Sequence, residues 1–169
     1  TAIEPPMFVN VIPIISAQEM FEKVATNATE NDIIIKAAAV ADYRPKEVCD
    51  EKIKKSDHDT EIELERTTDI LAYLGKNKGK TFLCGFSMET ENMLENSRRK
   101  LDKKNLDMIV ANNLKDKGAG FGVDTNLITI ITRDRELQLE LMSKQDAANC
   151  ILDEIIRTRK KLNRRKRNI

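Results

Sequence analysis

The sequence lacks the features that mark several large classes of protein. It contains no Trp, and no apolar run approaches the roughly 18 residues of a membrane-spanning helix. The three cysteines, Cys49, Cys84 and Cys150, are odd in number and far apart, which excludes a paired disulfide framework and a CxxC metal motif. We therefore expect a soluble, cytoplasmic protein with reduced thiols and no association with membranes.

Histidine and glycine are scarce where catalysis or phosphate binding often needs them. The single histidine, His58, lies among Asp and Lys residues, so we interpret it as a surface imidazole rather than a member of a triad. All six glycines lie between Gly75 and Gly122, which leaves the first predicted strand-to-helix turn, residues 13–17, without a glycine-rich phosphate cradle. Residues 118–122 have the wrong spacing for a dinucleotide fingerprint and precede a strand, so they are interpreted as a loop. Other groups would have to hold a nucleotide.

Charge is distributed unevenly along the 169 residues. Residues 157–169 carry eight Lys and Arg and no acid; because the whole chain carries +1, the first 156 residues carry −7. Such a segment is more often a solvated helix end than a nucleic-acid-binding element, and no aromatic stacking platform accompanies it, although a nucleic-acid module stays an alternative. We predict one domain over residues 1–156 and a basic C-terminal tail. The chain opens at Thr1 without an initiator Met or a visible signal peptide, which indicates a fragment.

Hydrophobic periodicity predicts alternating strands and helices. Residues 9–15 resemble a strand, the capping box Ser16-Ala-Gln-Glu19 starts a helix at Ala17, and residues 32–40 form an apolar run typical of a buried parallel strand. The other predicted elements are strands at 61–65, 81–86 and 106–111, helices at 69–74 and 93–104, a hairpin at 126–142 and a final helix through 156. Thr68 is expected to cap the helix at 69–74 and Gly75 to end it, whereas the polar residues 41–59 are expected to form a long loop. This order predicts an α/β fold, a three-layer, Rossmann-like, mostly parallel sheet with an antiparallel edge hairpin.

The end of the buried strand carries the first candidate binding residues. Residues 37–41 are small and lead directly into Asp42. Ligands of open parallel sheets bind beyond the carboxyl ends of the strands, and small side chains there let a flat ring approach the backbone. Asp42 would then meet the ligand's hydroxyls or a metal. The alternative is that Asp42 is a turn residue or a helix cap.

Two groups of lysines are candidates for binding phosphate. Residues 51–55, which we call the lysine arm, place Lys52 and two further lysines on a polar segment that would suit a mobile arm closing over phosphates. Lys100 and Lys104 lie four residues apart on one predicted helical face and would hold a polyphosphate as point charges. Solvated surface charge is the alternative in both cases.

Seven short blocks of the sequence occur in a recognisable order. They are residues 38–45 (Ala-Ala-Val-Ala-Asp-Tyr-Arg-Pro), 52–55 (Lys-Ile-Lys-Lys), 69–71 (Asp-Ile-Leu), 85–86 with 89–90 (Gly-Phe, Glu-Thr), Lys100 with Lys104, 107–112 (Asp-Met-Ile-Val-Ala-Asn) and 120–126 (Gly-Phe-Gly-Val-Asp-Thr-Asn). Over residues 8–156 the chain resembles the phosphopantothenate–cysteine ligase family (phosphopantothenoylcysteine synthetase). In many bacteria that ligase is the C-terminal half of a bifunctional coenzyme A biosynthesis flavoprotein.

The resemblance implies a two-step ligation of cysteine to 4'-phosphopantothenate. The carboxylate attacks the α-phosphate of CTP and releases pyrophosphate, and the cysteine amine then displaces CMP from the acyl-cytidylate. It also implies Mg²⁺, a homodimer and fusion of the full-length protein to an FMN-dependent decarboxylase domain. ATP stays an alternative nucleotide because eukaryotic relatives use it. A fragment that binds nucleotide without turnover is the second reading.

The resemblance also implies roles for particular residues. Lys52 would be the catalytic residue, neutralising charge that develops on the α-phosphate and the acyl oxygens. The residues implied to bind the nucleotide, besides Lys52, are Ala38, Ala39, Asp42, Arg66, Thr67, Thr68, Phe86, Lys100 and Lys104; none is implied as a metal ligand.

Two departures from the family pattern stand out. The family's N-terminal glycine-rich turn and Asn-Ser-Ser-Gly-type segment have no counterpart here, and its Gly-Phe-Ala-Ala-Glu-Thr is Gly-Phe-Ser-Met-Glu-Thr at residues 85–90. The ligase domain is therefore expected to be incomplete at its N-terminus.

Overall fold

The computed structural model describes residues 4–49, 51–52, 60–89, 91–113 and 122–167, with the backbone alone at 113 and 165–167. The four helices are α1 (Ala17–Asn27), α2 (Ile70–Asn77), α3 (Met93–Lys103) and α4 (Lys144–Arg167). The strands are β1 (Ile33–Lys36), β2 (Tyr43–Pro45), β3 (Leu64–Arg66), β4 (Phe82–Glu89), β5 (Met108–Asn113), β6 (Thr125–Asn126), β7 (Ile128–Thr132), β8 (Glu136–Gln138) and β9 (Met142–Ser143). No helix of the described part is long and apolar enough to cross a membrane.

Five of these strands form the main sheet in the order β1-β4-β5-β7-β8. β1, β4 and β5 run parallel to one another, whereas β7 and β8 pair antiparallel at the far edge. The parallel strands follow from the crossovers, because a helix lies between β1 and β4 and another between β4 and β5. The predicted α/β fold with its antiparallel edge hairpin is confirmed.

Alternating side chains of the sheet divide the core into two halves. On β4, Leu83 packs with residues of α2 and α3, with side chains of α1 against the same cluster, whereas Phe82 and Cys84 pack with residues of α4. Both halves are closed to solvent, since Leu83 and Cys84 are each 0% exposed. This alternation is the period-two geometry of a strand buried on both faces, and it produces the three layers.

The first helix begins where the capping box predicts. Ser16 Oγ accepts a hydrogen bond from the Glu19 backbone N–H at 3.1 Å, and the Glu19 carboxylate accepts one from the backbone N–H of Ile15 at 2.8 Å. These two bonds satisfy donors that a helix start would otherwise leave unpaired. The predicted start at Ala17 is therefore correct.

The predicted strand at residues 9–15 is wrong. The segment has no regular structure, and Val9, Val11, Ile12 and Ile15 are all at least half exposed. A strand is stable only when a neighbouring strand accepts and donates its backbone hydrogen bonds, and among the described residues none pairs with this segment. A β-branched run supplies the propensity for a strand but not the partner.

The structure also corrects the prediction for α2. The N-cap is Asp69 rather than Thr68, since Asp69 Oδ1 accepts the Ala72 N–H at 3.0 Å. The helix does not end at Gly75 but continues to Asn77. Gly75 has a packing role instead, because a Cβ placed there would lie 1.8 Å from the backbone oxygen of Lys104. The absence of a side chain lets α2 pack closely against the end of α3.

Part of the predicted loop at 41–59 is a two-stranded antiparallel ribbon, β2 with β3. Ion pairs join the two strands, with Arg44 to Glu65 at 2.7 Å and Lys46 to Glu63 at 2.8 Å. The loop prediction is wrong for residues 43–45, which pair with a strand about twenty positions further along the chain. At the other end of the chain, α4 runs without a break from the core into the basic segment and reaches Arg167.

Candidate active site

The carboxyl ends of the three parallel strands meet at one edge of the sheet. β1 ends at Lys36, β4 at Glu89 and β5 at Asn113, and the register of β1 with β4 and of β4 with β5 is parallel throughout. In open α/β sheets the ligand crevice lies outside this edge. We refer to it as the carboxyl edge.

Small residues follow β1 at the carboxyl edge. Ala38 and Ala39 are exposed, and the Lys36 ammonium donates a hydrogen bond from Nζ to the Ala38 carbonyl oxygen at 2.9 Å. This bond ties the end of the strand to the turn that follows it. The exposed backbone of the turn is open to a flat ring, which is the arrangement expected for the wall beside a base.

The base of the β2–β3 ribbon brings two predicted site segments together. The Thr67 backbone N–H donates to the Asp42 carbonyl oxygen at 3.0 Å, and the Thr67 hydroxyl donates to the Ala41 carbonyl oxygen. Arg66 stacks its guanidinium on the ring of Tyr43, 5.7 Å from the centroid. Arg66 and Thr67 therefore lie directly beside residues 41–43, although 23 or more positions separate them in sequence, and Thr68 follows them in the chain.

The two lysines predicted to hold phosphate, Lys100 in the last turn of α3 and Lys104 at its C-cap, reach towards the same edge. Lys100 Nζ pairs with Glu89 Oε1 at the end of β4 at 2.5 Å, and Lys104 Nζ pairs with Asp69 Oδ2 at the N-cap of α2 at 2.8 Å. Both cations are partly exposed, with 44% and 24% of the side chain accessible, so a phosphate can approach them. Their carboxylate partners keep the ammonium groups at the strand ends.

Asp69 is electrostatically suited to remain ionised. Burial opposes its charge, but hydrogen bonds from the Lys104 ammonium and the Ala72 N–H, together with the positive charges of Lys104 and Lys36, outweigh burial and lower the Asp69 pKa. The carboxylate thus performs two tasks, capping α2 and orienting Lys104.

Comparisons with known proteins agree with this architecture. Residues 1–158 match the family described as the DNA/pantothenate metabolism flavoprotein C-terminal domain. The chain belongs to this family. It is 47% identical over 153 residues to the coenzyme A biosynthesis bifunctional protein CoaBC of Bacillus subtilis strain 168, covering 90% of this chain and 38% of that protein. The corresponding CoaBC of Haemophilus influenzae is 41% identical over 152 residues, covering 89% of this chain and 38% of that protein.

Solved structures show the same fold for this family member. The C-terminal domain of a coenzyme A biosynthesis bifunctional protein CoaBC superimposes with a TM-score of 0.75 at 40% identity, covering 91% of this chain and 68% of that one. A DNA/pantothenate metabolism flavoprotein from Streptococcus pneumoniae superimposes with a TM-score of 0.74 at 18% identity, covering 90% and 74%, which shows the fold alone. The chain spans about two-fifths of the length of the curated relatives named above.

Some of the predicted site residues have no described contact with the groups at the carboxyl edge. Lys52 is exposed and, among the residues that the structure describes, has no hydrogen-bond or ion-pair partner. The rest of the lysine arm, residues 53–55, and His58 lie outside the described residues, as do 118–121 of the glycine-containing loop. Phe86 is half-buried and packs on the α4 side of the sheet. The role of Lys52 thus stays a prediction from the family resemblance.

The family's Ala-Ala pair, replaced here by Ser87 and Met88, lies partly away from the site. Ser87 is 4% exposed, and its hydroxyl shares a hydrogen bond of 2.6 Å with the hydroxyl of the buried Ser97 on α3. The substitution therefore places a hydrogen bond between β4 and α3 rather than a new group beside the ligand. Met88 is 37% exposed on the opposite side of the strand.

Three charged residues at the carboxyl edge were not among the site residues predicted from the sequence. Glu89 and Asp69 hold the two phosphate-binding candidates, and Lys36 lies at the end of β1 beside the alanines. The signal for Lys36 was a single Lys inside the apolar run at residues 32–40, because a charge is costly to bury. The signal for the carboxylates was their place in two of the seven sequence blocks, 69–71 and 89–90, for which the resemblance implied no role.

Proposed function

We propose that this chain is the nucleotide-binding part of a phosphopantothenate–cysteine ligase that acts in coenzyme A biosynthesis with CTP. The proposal rests on three groups that lie together at the carboxyl edge. They are the exposed turn with Ala38 and Ala39, the hydrogen-bonded segments 41–42 and 66–67, and the two lysines at the C-terminal end of α3, Lys100 and Lys104. The similarity to proteins named coenzyme A biosynthesis bifunctional protein supports the pathway and the substrate class. The substrates are then 4'-phosphopantothenate and cysteine.

The chemistry proposed for this site proceeds in two substitutions. An oxygen of the phosphopantothenate carboxylate bonds to the α-phosphorus of CTP, and the bond to the β,γ-pyrophosphate breaks. The cysteine nitrogen then bonds to the acyl carbon, CMP leaves with its phosphate oxygen, and the amine loses a proton. Lys100 and Lys104 would neutralise phosphate charge in the ground state, whereas Lys52 would close on charge that develops at the reacting centre.

Magnesium belongs to the proposal as a partner of the nucleotide. Among the described residues, no group of three or more His, Cys, Asp or Glu side chains is arranged to hold a metal ion. Two carboxylates of the carboxyl edge, Glu89 and Asp69, are engaged with lysines. We therefore expect Mg²⁺ to arrive bound to the triphosphate, where it screens the β- and γ-phosphates.

Steady-state kinetics on the full-length protein separates the proposed roles of the lysines. Lys52→Gln should leave nucleotide affinity within a few-fold and lower kcat about a hundredfold, or about 2.7 kcal/mol. Lys100→Gln should weaken nucleotide binding first, because its charge meets phosphates that are already ionised in the ground state. Normal turnover by Lys52→Gln would show that the lysine arm is only solvated charge, and equal losses of affinity in both variants would reduce Lys52 to a phosphate contact.

The second candidate function, nucleotide binding without turnover, is distinguished by pyrophosphate release. A ligase releases pyrophosphate only when CTP, phosphopantothenate and cysteine are all present, whereas a binding fragment retains CTP and releases none. Calorimetry with CTP and ATP in the presence of Mg²⁺ decides the nucleotide. Binding of ATP tenfold tighter than CTP, about 1.4 kcal/mol, would contradict the assignment of CTP.

We further propose a cytoplasmic homodimer, and fusion of the full-length protein to an FMN-dependent decarboxylase domain. The β2–β3 ribbon supports the dimer, because Tyr43, Ile62 and Leu64 on or beside it are 51–68% exposed, and clustered exposed apolar side chains often mark a protein–protein interface. The word bifunctional in the names of the relatives supports the fusion. Sedimentation tests the dimer, and a strictly monomeric species at tens of micromolar would count against it.

A further inference from the structure

Lys36 occupies a position where a charged side chain is costly. It is the last residue of β1, it follows three isoleucines, and it is half-buried at the carboxyl edge. Burial, followed by the positive charge of Lys104, lowers the pKa of Lys36, while Asp69 and Asp42 oppose that shift. The ammonium is therefore less well solvated and less well neutralised than a surface lysine.

Lys36 differs from the other two lysines at this edge in lacking an ion-pair partner. Lys100 is paired with Glu89 and Lys104 with Asp69, whereas within the described part of the chain Lys36 has no carboxylate within 4.0 Å. Its one hydrogen bond there is to the Ala38 carbonyl, which uses one of its three N–H donors. Two donors remain for another acceptor.

Space for such an acceptor lies next to the ammonium. A groove of about 600 Å³ is bordered on one side by Lys36, Ala37 and Ala38 and on the other by side chains of α1 that include Lys23. Lys104 acts electrostatically on Lys36 and shares the neighbour Asp69 with it. An anion at Lys104 would therefore also lower the energy of the Lys36 charge.

We propose that Lys36 binds a phosphate oxygen of the nucleotide's triphosphate together with Lys104. The proposal rests on the function proposed above and adds a phosphate-contacting residue from β1 to the two from α3. In this arrangement the hydrogen bond to Ala38 keeps the ammonium aimed at the edge, so the same side chain shapes the alanine turn and meets the triphosphate. Without ligand the charge is compensated only in part, by Asp69 and Asp42, and a bound phosphate would complete the compensation.

Calorimetric titration of this chain with inorganic triphosphate, and separately with CTP, tests the assignment. Lys36→Met should bind both about tenfold more weakly than wild type, about 1.4 kcal/mol, whereas Lys36→Arg should stay within about threefold because it keeps the charge. Lys23→Met is the matched control, since it removes a lysine from the same groove but away from the carboxyl edge; it should bind as wild type does.

The melting temperature without ligand separates a binding role from a structural one. Because Lys36→Met removes a half-buried charge that has no ion-pair partner in the described part of the chain, it should melt no lower than wild type, whereas a purely structural lysine would leave a less stable protein when replaced. Unchanged triphosphate affinity in Lys36→Met would overturn the assignment, as would a loss equalled by Lys23→Met or a loss accompanied by a lower melting temperature. If wild type binds neither probe, the proposed function fails and the assignment fails with it; if Lys36→Met does not fold, Lys36→Gln takes its place under the same criteria.

Discussion

Replacement of Gly75 by Ala should destabilise the protein even though Ala is the better helix former. Gly75 lies inside α2, where helix propensity alone predicts a gain of about 1 kcal/mol for Ala. A Cβ at this position would lie 1.8 Å from the Lys104 backbone oxygen, whereas real Cβ contacts essentially never fall below 3.0 Å, so the two helices must separate by at least 1.2 Å. Overpacking against a backbone atom, which cannot rotate away, costs about 3 kcal/mol. The net expectation is a loss of about 2 kcal/mol.

Thermal and urea unfolding measure this loss, which corresponds to a fall of roughly 4 to 8 °C in melting temperature for a chain of this size. Gly79→Ala is the control, because Gly79 has a φ of +54° but open space around it, so only backbone strain of about 1 kcal/mol opposes the change. Gly75→Ala should also weaken triphosphate binding, because it displaces the Lys104 backbone and with it the Lys104 ammonium. Gly79→Ala should leave that binding unchanged. A Gly75→Ala protein more stable than wild type would refute the packing argument, because propensity would then have outweighed the contact.

Three further outcomes follow from the ionisable groups. Asp107→Ala should lower the free energy of unfolding by about 3 kcal/mol in urea titrations. Asp107 Oδ2 accepts hydrogen bonds from Lys78 Nζ at 2.7 Å and from the Leu83 N–H at 2.8 Å, and both donors would lose their partner. A loss below about 1 kcal/mol would contradict this account. Folding lowers the Asp69 pKa, so the contribution of Asp69 to stability is present above the ordinary Asp pKa and is lost as the pH falls through the lowered value. The stability of Asp69→Asn should therefore decline less in acid than that of wild type. An unchanged decline would argue against the ion pair between Asp69 and Lys104. Burial raises the pKa of the Cys84 thiol to about 12, so a thiol reagent at neutral pH should modify the exposed Cys49 and leave Cys84 unmodified until the protein unfolds, as mass spectrometry of the two peptides can show.

Local patterns in the sequence predicted most of the fold because local interactions cause them. The capping box at residues 16–19 is closed by hydrogen bonds between neighbours, and the apolar run at residues 32–40 has the length of a buried strand, which forms over Ile33–Lys36. The order of strands and helices then restricts the topology to a parallel sheet with helical crossovers. The same order also located the carboxyl edge, where Asp42 and the alanines before it were expected.

Contacts between distant segments were beyond the reach of such patterns. Residues 9–15 have strand propensity but no neighbouring strand in the described chain. Gly75 was expected to end α2, but its lack of a side chain instead allows the close approach of the Lys104 backbone. Sequence spacing placed Lys100 and Lys104 on one helical face, and only the packing of α3 against β4 and α2 decided that each ammonium meets a carboxylate while Lys36 does not. The physical reason is that propensity and capping depend on residues a few positions apart, whereas burial, ion pairing and close approach depend on which elements the whole chain brings together.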